Sequence, residues 1–180
     1  IEDEECMKIC SWTYDEINFD YVGSNLYYYS ELGGSKCSAS FVAQTLLDEP
    51  YTMFANSNNA KPGGWVNTEL QTWMNDKLYK GISLLWQQIL KEVIVKSLQN
   101  TNIGTANINS RKEPTTSNNF LYLPAIAEVN HDAESVFQNE FTEGSIGFYS
   151  AFGNAEEKNT RIKTMNGTPW IWWLRSPYYT

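Results

Sequence analysis

Histidine is nearly absent from this 180-residue sequence: His131 is the single copy. Acid–base and nucleophilic catalysis usually set a histidine beside a second reactive group. Any Ser–His or Cys–His arrangement would therefore have to be built around that one residue. It sits in a polar stretch beside Asp132 and close to Glu128 and Glu134, where a solvated surface side chain is the expected role. No glycine-rich phosphate loop, His-Glu-x-x-His pair or EF-hand loop occurs. We therefore assign no catalytic residue, metal ligand or cofactor and read the chain as a non-enzyme. A carboxylate pair acting on a glycoside stands as the second reading, because such pairs lie far apart in sequence and meet only in the fold.

Cysteine is scarce too. The spacing of Cys6, Cys10 and Cys37 fits neither a zinc ribbon nor a redox Cys-x-x-Cys motif. A bridge from Cys37 to Cys6 or to Cys10 would leave one thiol over, so small buried apolar side chains are the expected reading. No apolar run approaches the roughly 18 residues that span a bilayer, and no basic-then-apolar signal peptide opens the chain, which predicts no membrane insertion. The sequence starts at Ile1 rather than Met, which fits a processed exported chain and equally a trimmed boundary. Basic residues are few: 13 Lys and Arg against 21 Asp and Glu give a net charge of −8. Such a surface repels phosphate backbones, so nucleic acid is excluded as the expected partner. Part of the excess is the solvated acidic head Glu2-Asp3-Glu4-Glu5.

What is present is a core. Hydrophobic residues make up 42% and aromatics 14%, more than a disordered chain carries, and the length suits one domain over 1–180 with 1–16 peripheral. Alternation broken by Gly23-Ser24-Asn25 predicts a hairpin over Ile17–Tyr29. Phe41 or Val42 with Leu46 predicts a short helix over 40–47 that ends before Pro50. Residues 54–64 are turn formers and predict a loop. Thr68 followed by Gln71 predicts a capping box for a helix whose stripe is Leu70, Trp73, Met74 and Leu78. Past Gly81, a second helix is predicted from Ser83, and Val93-Ile94-Val95 predicts a strand. A polar loop is expected over 99–119, a short strand over 120–123, a helical turn over 126–129 and irregular chain over 137–152. The run Trp170-Ile-Trp-Trp-Leu-Arg175 reads as an aromatic strand.

Seven tryptophans and eleven tyrosines supply flat faces suited to sugar rings or protein surfaces. Helix-phased Trp73 and Trp86 are expected in the core. The neighbours Trp172 and Trp173 must point to opposite faces of a strand, which frees one of them for a second layer or a ligand. Trp73-Met74-Asn75-Asp76 has only a superficial likeness to the Trp-Asn-Asp calcium signature of C-type lectins, and Asn75 and Asp76 are read as helix-end residues.

Gly63-Gly64-Trp65, the amphipathic Leu70-Gln-Thr-Trp-Met-Asn75, Ile89 and Val93 form the first half of an ordered set of blocks. Phe120-Leu-Tyr-Leu-Pro-x-x-x-Glu128-Val129, Arg161-Ile162-Lys163 and Trp172-Trp173-Leu174-Arg175-Ser176-Pro177 complete it. Together, over about 42–177, they resemble an uncharacterised bacterial domain family that recurs in surface and secreted proteins of gut Firmicutes. The resemblance implies an α+β, C-type-lectin-like fold: two short helices packed on small, mostly antiparallel sheets with long irregular loops. It implies an extracellular or cell-surface location and no described activity. The expected function is a binding module for a glycan or protein ligand, with Tyr178, Tyr179 and Trp172 as candidate ligand contacts. Arg175 is expected at the edge of the core, paired with a carboxylate such as Glu128. Members of the family usually run on to a closing Gly-Val-Arg-Pro segment, whereas this sequence ends at Thr180. Self-assembly, in which a neighbouring chain completes the fold of a structural subunit, is the third reading.

Overall fold

A computed structural model describes residues 13–14, 17–23, 26–29, 39–47, 51–53, 64–100, 111–130, 140 and 162–176. The β-branched run that begins at Val93 forms its central strand, β5 (Val93–Asn100). Val93, Val95 and Ser97 are buried at every second position, as a pleated strand requires. A register shift between Ser97 and Gln99 then breaks the alternation and turns Leu98 inward. β5 lies between β3 (Tyr28–Tyr29) and β6 (Arg111–Asn119) in an antiparallel sheet.

β6 replaces part of the polar loop expected over 99–119. Apart from Thr115 and Thr116 its residues have little intrinsic preference for a strand, and pairing along β5 from Val93↔Asn119 to Asn100↔Arg111 supplies what propensity lacks. Pro114, which has no N–H to donate, suits the outer edge of the sheet that β6 forms.

The predicted hairpin over 17–29 is not formed. β2 (Ile17–Gly23) pairs with β1 (Thr13–Tyr14) and with β4 (Ser40–Ala43), while β3 joins the other sheet. The chain leaves β2 at Gly23, whose φ of 152° suits glycine. A Cβ there would stand 3.1 Å from Leu26 Cδ1. β4 also corrects the helix expected over 40–47. The apolar spacing was too short to separate the two periods, and the Tyr21↔Phe41 pair, with rings edge-on at 6.0 Å, favours the strand.

A 3₁₀ turn over Gly64–Asn67 leads into the predicted helix, which runs as Glu69–Trp73, a π-helical turn Met74–Leu78, and Tyr79–Gly81. Thr68 caps it, with Oγ1 accepting from Gln71 N at 3.0 Å. The reciprocal arm of the capping box is replaced: Thr68 N donates to Trp65 O at 3.0 Å, and the Gln71 amide reaches Asn119 Oδ1 at 2.9 Å. The second helix, Leu84–Ile89, starts at Ser83 as expected. Trp73 is half-buried, stacked on Tyr51 at 4.5 Å, Trp86 is half-buried, and Trp65 is fully buried.

The strand predicted over 120–123 ends instead at Asn119, because Asn75 satisfies the backbone beyond it. Its Oδ1 accepts from Phe120 N at 2.7 Å and Leu121 N at 3.1 Å, and its Nδ2 donates to Leu121 O at 2.8 Å. A side chain takes the place of a neighbouring strand. The helical turn Ile126–Val129 forms as expected.

Near the C-terminal end, β7 (Lys163–Met165) and β8 (Thr168–Trp170) make a hairpin about Asn166-Gly167, whose φ values of 53° and 75° are those of a two-residue primed turn. Leu46 N donates to Thr164 O at 2.8 Å and ties the hairpin to the segment after β4. Only Trp170 of the predicted aromatic strand belongs to β8, and residues 171–174 lie outside the described strands. The apolar centre consists of Val22, Leu26, Tyr27, Val93, Val95 and Val129, with Val42, Tyr122, Trp172 and Leu174 packed against it. Few helices and small antiparallel sheets are compatible with the expected α+β class. The cysteines, His131, the acidic head, and most of the loops expected over 54–64 and 137–152 lie outside the described residues.

Candidate functional site

The helical turn Ile126–Val129 positions Glu128, and the chain that follows Leu174 positions Arg175. Ala125 precedes the turn and has no side-chain oxygen with which to cap it. Glu128 reaches back instead, its Oε2 accepting from Ala125 N at 2.7 Å. The same carboxylate meets Arg175 fork to fork: Nη1 to Oε2 at 2.7 Å and Nη2 to Oε1 at 2.7 Å. Tyr27 donates its hydroxyl to Oε1 at 2.5 Å. The pairing expected of Arg175 is thus present, and both partners are buried.

Arg175 spends its remaining donors on backbone. Nε donates to Lys96 O at 2.8 Å and Nη1 to Leu123 O at 2.7 Å, while Arg175 N donates to Pro124 O at 3.0 Å. One side chain therefore joins β5, the 123–128 segment and the C-terminal stretch. Beside it, Glu140 Oε1 accepts from Leu98 N at 3.0 Å, and Glu140 Oε2 is hydrogen-bonded to the Ser176 hydroxyl. Ser176 Oγ in turn accepts from Ile126 N at 2.7 Å. Burial pushes the Glu140 carboxyl above its ordinary value near 4.5. The Arg175 charge, the Ser176 hydroxyl and the Leu98 N–H pull it down, and the Glu128 charge adds to the rise.

Outward from this cluster the chain alternates. Trp172 and Leu174 pack on the core, while Trp170, Ile171 and Trp173 are 55%, 92% and 54% exposed. Ile162, before β7, is also exposed. The large apolar side chains of Trp170, Ile171 and Trp173 stand in water on the stretch that Arg175 anchors. Trp172, a predicted ligand contact, is half-buried against the core, and Tyr178 and Tyr179 lie outside the described residues. Sequence reasoning placed Trp172 and Trp173 on opposite faces but did not single out Trp170 and Ile171. The Asn166-Gly167 turn was the available signal, because it sets the register of the short β7–β8 hairpin, in which Lys163 pairs with Trp170.

Two other ionic groups serve local roles. Asp76 pairs with Lys80 one helical turn on, and the hydrogen bond and charge of Lys80 hold its carboxyl below the usual value. Lys163 on β7 is buried, which pushes its ammonium downward, and the charge of Asp20 opposes that shift. Among the described residues, no group of three or more His, Cys, Asp and Glu side chains is placed to hold a metal ion. No described helix is long and apolar enough to cross a membrane.

Residues 43–180 match the model of a family described as a domain of unknown function, DUF6273. No curated protein and no solved structure matches the chain.

Proposed function

The chain belongs to the DUF6273 family of domains of unknown function, and we propose that it is a binding module whose ligand, a glycan or a protein, seats on Trp170, Ile171 and Trp173. The observation that carries this reading is the exposure of the apolar side chains of Trp170, Ile171 and Trp173 on a stretch clamped from behind by Arg175. Exposing them costs solvation free energy, of order 25 cal/mol per Å² of apolar area, which a partner that covers them returns. Tyr178 and Tyr179 follow closely in sequence and remain candidate contacts in this reading. Display outside a bacterium and a C-type-lectin-like arrangement of the short helices and small sheets belong to it as well. The net charge of −8 favours neutral or basic ligands over anionic ones.

The glycoside-acting alternative needs two carboxylates facing each other across an open cleft. The acidic pair brought together here, Glu128 and Glu140, is buried and hydrogen-bonded to protein groups, which favours the binding reading for those residues. The test is a glycan array and a pull-down from bacterial surface extracts, run with the parent chain and with W170A/W173A. A ligand found by either screen whose affinity drops at least about tenfold in the variant, equivalent to 1.4 kcal/mol, supports the proposal. A ligand bound equally by parent and variant overturns the assignment of the surface, with array hits separating a sugar ligand from a protein one.

A further inference from the structure

Glu140 is a surplus acid in a closed place. Both terminal nitrogens of Arg175 are committed to Glu128 at 2.7 Å. What Arg175 offers Glu140 is a 3.5 Å contact from Nη2 to its backbone carbonyl. The Glu140 carboxyl is left with the Leu98 N–H on Oε1 and the Ser176 hydroxyl on Oε2. Glu128, Glu140 and Arg175 are 3%, 0% and 2% exposed. With all three ionised, two negative charges would face one positive charge away from water, and an uncompensated buried carboxylate is far less stable than its acid form.

We propose that this cluster is a proton-binding site: Glu140 carries a proton on Oε2 in the folded domain, and its release as pH rises leaves a second buried negative charge beside Glu128 that lowers the stability of the fold. Oε2 is the protonated oxygen because Oε1 already accepts from Leu98. In the acid form Glu140 O–H donates to Ser176 Oγ. On dissociation the O–H bond breaks, the proton passes to water, and the Ser176 hydroxyl rotates to donate toward Oε2. Ile126 N–H remains on Ser176 Oγ in both forms.

Among the described residues, the groups that face Glu140 are Arg175 and Ser176 from the C-terminal stretch, Glu128 from the helical turn, and the Leu98 N–H from β5. Tyr27 faces Glu128 rather than Glu140, and Lys96 contributes only its carbonyl, to Arg175. Burial, the largest influence on Glu140, favours the acid form. A carboxyl whose folded value lies above its unfolded one binds extra protons in the folded state. Its contribution to stability is full below the unfolded value near 4.5 and is lost as pH rises through the folded value. The inference does not depend on what the exposed tryptophans bind.

The experiment is a titration of the full chain with ¹³C-labelled glutamate side chains, followed by NMR from about pH 4 to pH 8. Urea unfolding and amide exchange are measured over the same range for the parent and for Glu140→Gln. Both proteins carry His131→Asn, which removes the one imidazole in the sequence. The Glu140 Cδ resonance is expected to titrate above the ordinary carboxylate value. The parent's unfolding midpoint should fall toward pH 8, with faster core-amide exchange once its intrinsic pH dependence is divided out, and Glu140→Gln, which mimics the acid form, should remove that fall. A Glu140 carboxyl ionised at or below its ordinary value, or an identical pH slope in the variant, overturns the proposal. The parent titration decides the matter by itself if the variant does not fold.

Discussion

Arg175 holds Glu128 by both ends of its guanidinium, 47 residues away in sequence, in a place where neither side chain reaches water. A buried ion pair of this kind adds little net stability when intact, yet losing one partner is severe because the other charge stays buried and uncompensated. Arg175→Met is therefore expected to lose about 3–5 kcal/mol, read as a lower urea midpoint. The double variant R175M/E128Q leaves no buried charge from this pair and is expected to recover part of that loss. A double variant as weak as the sum of the two single ones would show that the pair is not coupled.

Asn75 docks the first helix on the end of β6 by satisfying three backbone groups of Phe120 and Leu121. Asn75→Ala leaves them without that partner, and each buried orphan costs about 1–3 kcal/mol. The expected total is at least about 2 kcal/mol in chemical unfolding, since these groups are only part-buried. Asn75→Asp keeps the acceptor for the two N–H groups and loses the donor to Leu121 O, so it should fall between Ala and the parent. A neutral Asn75→Ala would place the docking energy elsewhere.

Ser97 makes the opposite case. It is fully buried on β5, and its hydroxyl has no hydrogen-bond partner among the described residues. Removing an unsatisfied polar atom while keeping the backbone should stabilise, so Ser97→Ala is expected to raise stability by up to about 1 kcal/mol. Differential scanning calorimetry would show this as a rise in Tm. A fall instead would mean that the hydroxyl has a partner that truncation removes.

The helix starts at Thr68 and Ser83 and the strand from Val93 were legible because short-range chemistry decides them: a side-chain cap, and β-branching. The pairing of Arg175 with Glu128 was legible for a different reason, since an arginine inside an apolar run needs an acid. What failed was non-local. β6 is too polar to announce itself and is a strand because β5 lies beside it, and the 120–123 segment is not one because Asn75 takes its hydrogen bonds. Residues 40–47 carry an apolar spacing that fits a helix or a strand equally, and only pairing with β2 settles it. In the candidate site, the second acid was invisible, because nothing near Glu140 in sequence marks it as a neighbour of Leu98 or Ser176.

The stretch from Ile171 to Leu174 is fastened at alternate positions, by Trp172 and Leu174 inward and by Arg175 at its end, with no flanking strand to share the task. Ile171, 92% exposed, therefore carries almost none of the folding energy, while Trp173, 54% exposed, carries part of it. Position 171 can be exchanged for residues of different size, polarity or charge while the scaffold stays intact, so in the proposed binding module recognition could be rewritten there without renegotiating the architecture.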